Sequence, residues 1–421
     1  MLDRASDVHH FALVATAESL RAALAHERAP SYAPASLALR AVNRAFESDV
    51  PGAVALLRRA LHDRSAASDD AAYLSDLLAQ FLVSTGDFAS LADILRDWRS
   101  VPADLASAKS AIDAILQAVL GDLPASRVLA RKSISSARES GAPRTLGRVL
   151  CRCALAAYYR GDYDEARELA LEAARELESE AAYWSAAASY SVAASIAQDW
   201  NQNGELAAAY FARMLNHAER VGHNALRRTA LAACFNVAAE MFDEASHADA
   251  RALLIARPER QQHQENYVIV IAEVLGFGWK GEFAAAEAIL TASAAMPGIS
   301  ERQRALGDAF LALIAAANGD AELARTRVRT ALERTARAKH EPLHERRYRA
   351  LARLLSAAAC FVIGDVDRAK RALSARYGVE PRYRELLVSF PIDLVRCPEL
   401  FRGYAAFINV VSERALAVVR T

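Results

Sequence analysis

Residues His340-Glu341-Pro342-Leu343-His344 match letter for letter the His-Glu-x-x-His string that sets two imidazoles and a general base around zinc. That chemistry needs both histidines on one face of an unbroken helix. Pro342 removes a backbone donor and disfavours helical geometry at Glu341, so the string reads as a surface turn and no metal is expected. Gly276-Phe277-Gly278-Trp279-Lys280-Gly281 satisfies Gly-x-Gly-x-x-Gly and follows the apolar run Val268 to Ile271. A dinucleotide site would need a strand, a tight turn and a helix N-terminus around pyrophosphate. No alternation of strands and helices surrounds the fingerprint, so Gly276 and Gly278 are assigned to close helix packing or a local kink, and no cofactor is expected. Cys151 and Cys153 stand two apart on an expected helix and point to nearly opposite faces, which suits neither chelation nor redox pairing. Glu168, Glu172, Glu176 and Glu180 make an acidic stripe; carboxylates do acid–base work in a desolvated cleft, and this stripe reads as a solvated outer face. Nothing assembles a nucleophile, a base and an orienting group, so the chain is not expected to be an enzyme.

Binding is the chemistry that remains. From Arg325 to Arg353 ten Lys or Arg residues stand against Glu333, Glu341 and Glu345. Arg346, Arg349 and Arg353 share one helical face there, a patch suited to an acidic protein segment. Aromatic interleaving is limited to Tyr348, and the 51 basic and 51 acidic side chains of the whole chain cancel, so direct nucleic-acid binding is not expected.

The elements that must carry these residues announce themselves as a repeat. Aligned on a turn glycine, the chain reads Ser48-Asp49-Val50, Gly86-Asp87-Phe88, Gly121-Asp122-Leu123, Gly161-Asp162-Tyr163, Gly204-Glu205-Leu206, Gly281-Glu282-Phe283, Gly319-Asp320-Ala321 and Gly364-Asp365-Val366, with a degraded copy at Ala245-Ser246-His247. Glycine ends a helix in the left-handed conformation without a Cβ penalty, and the acid after it can cap the next helix. Five residues past the glycine a small residue lets two helices approach: Ala53, Ser126, Ala166, Ala209, Ala250, Ala286, Ala324 and Ala369, with Leu91 the exception. Spacings of 35 to 45 residues belong to helix-pair arrays.

The best copy, Gly161-Asp162-Tyr163-Asp164-Glu165-Ala166 and the helix continuing to Glu178, resembles the tetratricopeptide repeat (TPR). The longer, irregular units resemble the helical-repeat sensor domain of MalT-like bacterial transcription regulators. The resemblance implies an all-α, right-handed superhelical solenoid of about nine antiparallel helix hairpins with helical caps. The expected domains are an N-terminal capping helix over 1–30, the repeat solenoid over 31–377 and a helical cap over 378–421, ending in an apolar helix from about Arg402 to Val419. Positions of the first helices that face the concave surface of such a solenoid are Tyr73, Asp76, Gln80, Tyr158, Gln198, Asn201, Asn236, Phe242 and Trp279. Aromatic faces among amides suit a peptide or small ligand. The basic and Asn clamp by which some tetratricopeptide proteins hold a C-terminal carboxylate is not apparent at these positions.

Composition agrees with helices: 53% hydrophobic residues, supplied largely by alanine and leucine, with only 7% aromatics. Met1-Leu2-Asp3-Arg4 lacks the pattern of a signal peptide, no stretch suits a membrane span, and five cysteines without paired spacing fit a reducing cytoplasm. Arginine far outnumbers lysine, as in GC-rich bacterial coding. Ile299-Ser300-Glu301-Arg302-Gln303 faintly resembles the start of a helix-turn-helix domain yet falls inside the repeats. The expected function is that of a bacterial regulatory or adaptor protein binding a protein or peptide on the concave face. The alternative is a MalT-like ligand sensor acting on transcription or signalling through a partner. A small-molecule ligand and a homo-oligomer are compatible with either.

Overall fold

The computed structural model describes residues 34–46, 49–62, 68–98, 101, 103–256, 263–296, 299–335, 343–374, 387 and 391–420. The helix expected over residues 2–27, the turn residue Ser48 and the string His340-Glu341-Pro342 lie outside them. The described residues form 19 α-helices and no strand. No helix among them is long and apolar enough to cross a membrane. The chain divides into two compact units: unit 1 holds residues 1–196 and 209–230, unit 2 holds 197–208 and 231–421.

The first eight helices, all in unit 1, are α1 (Pro34–Phe46), α2 (Val50–His62), α3 (Ser68–Thr85), α4 (Phe88–Asp97), α5 (Ala103–Leu120), α6 (Leu123–Glu139), α7 (Pro143–Arg160) and α8 (Tyr163–Ser179). Then come α9 (Tyr183–Asp199), α10 (Gly204–Arg220) and α11 (Asn224–Met241), each with residues in both units. Unit 2 continues with α12 (Glu244–Ala256), α13 (His263–Trp279), α14 (Phe283–Ala294), α15 (Glu301–Ala317), α16 (Ala321–Arg334), α17 (Leu343–Val362), α18 (Val366–Ala372), a 3-10 turn (Glu399–Phe401) and α19 (Arg402–Arg420).

Helices that meet at a tight turn pack on each other, as α7 does on α8 and α15 on α16. At Gly86, Gly121, Gly161, Gly281, Gly319 and Gly364 φ lies between +70° and +88°, the left-handed region that stops a helix. The following acid caps the next helix at most of these turns: Asp87 accepts from the Ser90 amide at 3.1 Å, Asp122 from Ala125 at 3.1 Å, Asp320 from Leu323 at 2.9 Å and Asp365 from Arg368 at 3.2 Å. Asp162, in the copy most like the repeat, makes no such cap. Its carboxylate instead takes Arg127 in a two-pronged contact at 3.0 to 3.2 Å and Arg160 at 2.9 Å. Those bonds hold it below the usual carboxylate range against the burial that would raise it.

Two turns fall elsewhere than the glycine alignment places them. Gly204 sits inside α10; the left-handed residue is Gln202 at φ +51°, and Asn203 caps the helix by accepting from the Leu206 amide at 2.8 Å. The degraded copy lies three residues early, at Phe242 with φ +61°, followed by Asp243, which accepts from the Ser246 amide at 3.1 Å. The close-contact position moves accordingly. Ala207 is fully buried while Ala209 is exposed. At the other turn the position belongs to buried His247, whose Nε2 lies 3.1 Å from the Ala272 carbonyl oxygen. Gly276 makes room for that imidazole, since a Cβ there would stand 2.7 Å from His247 Cε1. At the turns in expected register Ser126, Ala166, Ala286, Ala324 and Ala369 are fully buried, and so are Leu91 and, on α2, Ala53.

Unit 1 is built on Phe46, Leu57, Leu74, Leu78, Phe81, Leu91, Leu105 and Trp184, continued by seams of small residues such as Ala154, Ala170 and Ala193. In unit 2, α15 is apolar nearly all round. Ala305, Leu306, Ala309, Phe310 and the run Ala312–Ala317 are all buried, the mark of a helix covered on every side. α16, α17 and α19 cover it, and α19 reaches α13 and α17 as well.

Candidate functional site

The side chains expected to line a ligand face divide between the two units. In unit 1, Tyr73 and Gln80 are half-buried on α3, and Asp76 between them is 2% exposed. Tyr158 is half-buried on α7, with Tyr159 and Tyr163 edge-on at 5.8 Å. Asp76 is engaged by arginines. It receives Arg152 at 2.7 and 3.0 Å and Arg148 as well, and Arg152 also donates to the Ala108 carbonyl at 3.2 Å on α5. Arg144, Arg148 and Arg152 follow one another at four-residue steps, so they climb one face of α7. Burial lowers the proton affinity of Arg148, as does Arg152, against the pull of Asp76. At Arg144 burial and Arg148 act in the same direction, and Glu180 opposes them.

In unit 2 the polar centre is a buried ion network. Glu240 on α11 is 1% exposed and accepts from Gln198 Nε2 at 2.9 Å, from the Tyr404 hydroxyl at 3.0 Å and from Arg347 Nη2. Arg347 Nη1 donates to Asp199 at 3.0 Å. Two carboxylates thus share one guanidinium. Burial raises Asp199, and Arg347 opposes that rise. Against the burial that would lower it, Glu240 and Asp199 raise Arg347, so the guanidinium stays charged. Burial likewise lifts the Tyr348 and Tyr404 hydroxyls above the usual phenol range. Gln198 therefore serves the network. Asn236, one turn before Glu240 on α11, is 6% exposed, and its Oδ1 has no hydrogen-bond partner. Asn201 is exposed in the α9–α10 connection.

Phe242 and Trp279 do meet, ring centroids 4.9 Å apart and edge to face, and both are half-buried. Trp279 Nε1 donates to the Gly403 carbonyl at the start of α19 at 3.0 Å. A Cβ on Gly278 would lie 1.8 Å from Phe407 Cδ2, and one on Gly403 would lie 1.9 Å from the Ala239 carbonyl oxygen. Phe407 packs at 5.8 Å from Phe283 and 5.6 Å from Phe310. The Gly-x-Gly fingerprint is thus the inside of α13 shaped to receive α19.

The basic segment is met by acids from its own helix α16 and from neighbouring helices. Arg325 pairs with Glu322, Arg327 with Asp308, and Arg334 with both Glu301 at 2.9 Å and Asp308 at 3.2 Å. Of the three arginines expected to form a patch, Arg346 is exposed, Arg349 half-buried and Arg353 only 4% exposed, donating to the Ala372 carbonyl at 3.3 Å. They do not present one outward face. Ser300 opens α15 with a capping box: its hydroxyl accepts from the Gln303 amide at 3.1 Å and Gln303 Oε1 accepts from the Ser300 amide at 2.9 Å. His344 lies in the first turn of α17 beside Glu345 at 3.6 Å. Among the described residues no group of three or more His, Cys, Asp or Glu side chains is placed to hold a metal.

The residues that dominate both centres, Arg144, Arg148 and Arg152 in one and Asp199, Glu240, Arg347 and Tyr404 in the other, were not singled out by the repeat register. The α7 series was visible as spacing, since between Glu139 and Asp162 every charged side chain is an arginine. The unit 2 network pairs residues 107 and 148 positions apart, and no local pattern announces it. No family model matches the chain, and no curated protein matches it.

Proposed function

We propose that this chain is a non-catalytic bacterial regulatory or adaptor protein that works in the cytoplasm as a TPR-like solenoid of about nine helix hairpins and receives a protein or peptide partner. The carrying observation is the contrast between first helices. On α3 and α7 of unit 1, Tyr73, Gln80 and Tyr158 stand half-buried, offering aromatic faces and an amide. On α13, α15 and α17 of unit 2 the helix α19 is already seated. The partner face is therefore assigned to unit 1, where half-buried tyrosines give contact area at small entropic cost.

A peptide-display library panned against the immobilised full-length protein tests this. Enriched peptides should lose at least tenfold in affinity for a Tyr73→Ala, Tyr158→Ala double variant of unchanged helicity, with each truncated anchor worth about 1–2 kcal/mol. Enrichment of no sequence, or peptides indifferent to both tyrosines, would remove the assignment.

A further inference from the structure

In the unit 2 network Asp199 at the last position of α9 and Glu240 on α11 put two carboxylates on one guanidinium, Arg347 of α17. The three side chains are 9%, 2% and 14% exposed. The charge of His344 on α17 also reaches Asp199, but that imidazole lies 3.6 Å from a carboxylate of its own, Glu345. Tyr348, again from α17, completes the titratable groups facing Asp199 among the described residues. Negative charge in excess of its partner is costly where water is excluded, and a proton is the smallest ligand that removes it. Donor geometry says which oxygen takes that proton. Glu240 accepts from Gln198 at 2.9 Å, from Tyr404 at 3.0 Å and from Arg347, bonds that favour its ionised form. Asp199 accepts from Arg347 alone among the described residues, at 3.0 Å on Oδ1, which leaves Oδ2 without a donor. It also ends α9, where the carbonyl end of the helix dipole opposes a negative charge. Burial raises the Asp199 pKa with help from Glu240, against Arg347 and His344. A folded value above the unfolded one near 3.8 means that the fold holds this proton the more tightly, so Asp199 opposes folding increasingly as pH rises from about 4 toward the raised value.

We propose that Asp199 Oδ2 is the proton-binding atom of a pH-sensitive joint that governs how firmly α19 is seated. With Asp199 ionised, Arg347 is drawn between two carboxylates. With Asp199 protonated, Glu240 is the one charged partner of Arg347, and Glu240 is also the acid to which the Tyr404 hydroxyl of α19 donates. Proton uptake tightens the joint and rising pH loosens it. The device concerns unit 2 alone and does not depend on the peptide reading.

Hydrogen exchange of the full-length protein over residues 402–420, referenced at each pH to the rate of the unfolded chain, tests the joint between about pH 4.5 and 8. Asp199→Asn keeps an oxygen for Arg347 and carries no charge at any pH. The two proteins should protect α19 alike at the acid end, and the wild type should lose at least tenfold of that protection relative to Asp199→Asn as pH rises, the factor for a shift of about one pKa unit. His344→Gln should respond as the wild type does. Infrared spectra give a second measurement: the difference between wild type and Asp199→Asn should contain a protonated-carboxyl band at the acid end and carboxylate bands at the alkaline end. Protection that differs between the two proteins by one constant factor at every pH would overturn the proposal, as would carboxylate bands for Asp199 throughout the range. A pH response lost in His344→Gln and kept in Asp199→Asn would overturn it in favour of the imidazole.

Discussion

Gly278→Ala puts one methyl group where α19 meets α13, and the structure says what that methyl strikes. Its Cβ would lie 1.8 Å from Phe407 Cδ2 and 2.2 Å from Cε2, and Phe407 is fully buried between Phe283 and Phe310. The ring must move, and overpacking of this kind costs about 1–3 kcal/mol. Alanine in place of glycine inside a helix contributes ~1 kcal/mol in the opposite direction. Phe407→Ala alone should cost about 3–5 kcal/mol, the range for a buried Phe. With the ring gone, so are the three atoms nearest the methyl at 278, and the helix-propensity gain is left. Gly278→Ala should therefore be destabilising in the wild type and neutral or stabilising in Phe407→Ala.

The quantity to measure is the opening free energy of α19, read by hydrogen exchange with mass spectrometry over residues 402–420 and the facing segments of α13 and α15. Protection should fall there first. The double-mutant cycle should give a coupling of roughly 1–3 kcal/mol between the two positions. If Gly278→Ala costs the same in both backgrounds, the glycine is not there to admit Phe407, and the packing argument for α19 fails.

Three further outcomes are expected. His223 stacks on Phe46 at 4.1 Å, its Nδ1 accepts the Leu226 amide at 3.2 Å, and burial lowers its pKa to about 3. Because the folded value lies below the unfolded one near 6.5, this stability is full above pH 6.5 and is lost as pH falls toward 3, by about 2 kcal/mol at pH 5. Denaturant titrations at pH 7.5 and 5 should differ by that much more in the wild type than in His223→Asn, which keeps an acceptor for Leu226. Arg347→Ala leaves the Asp199 and Glu240 carboxylates buried without their guanidinium and should cost about 3–5 kcal/mol in thermal unfolding, a loss that adding Asp199→Asn and Glu240→Gln should partly reverse. Elemental analysis of untagged protein should find no stoichiometric zinc; one equivalent that disappears in His344→Ala would contradict the reading of the His340–His344 string.

The helices and most of their turns were readable because their causes are local. A glycine with positive φ followed by an acidic residue is a short local signal, and six of the aligned glycines take that role. Where Gln202 and Phe242 adopt the same conformation the signal disappears, and the register slips by two and by three residues. That slip explains the mixed outcome at the expected lining residues: Phe242 is a turn residue, and Gln198 and Asn236 fall on buried faces. The role of Gly278 was half legible. Its position argues for close packing, but the ring it admits lies 129 residues downstream, and nothing near Gly278 names Phe407.

Charge was legible in the same uneven way, and the reason bears on function. A window from Arg325 to Arg353 counts seven positive charges in excess, yet Glu301, Asp308 and Glu322 meet three of its arginines, and Asp199 with Glu240 meet a fourth. The window fails because acids outside it meet its arginines, Glu322 from the same helix one turn earlier and the others from helices adjacent in space. From Glu139 to Asp162 the run is shorter, with four arginines, and Asp162 and Glu165 hold Arg160 at 2.9 and 2.8 Å. Asp76 on α3 serves both Arg148 and Arg152. A charge surplus survives folding only where neighbouring helices fail to supply the opposite sign on the same face. On α7 as in the Arg325–Arg353 window, acids from elsewhere in the chain meet the arginines, so a run of basic residues along the sequence is no measure of the charge that the fold presents to a ligand.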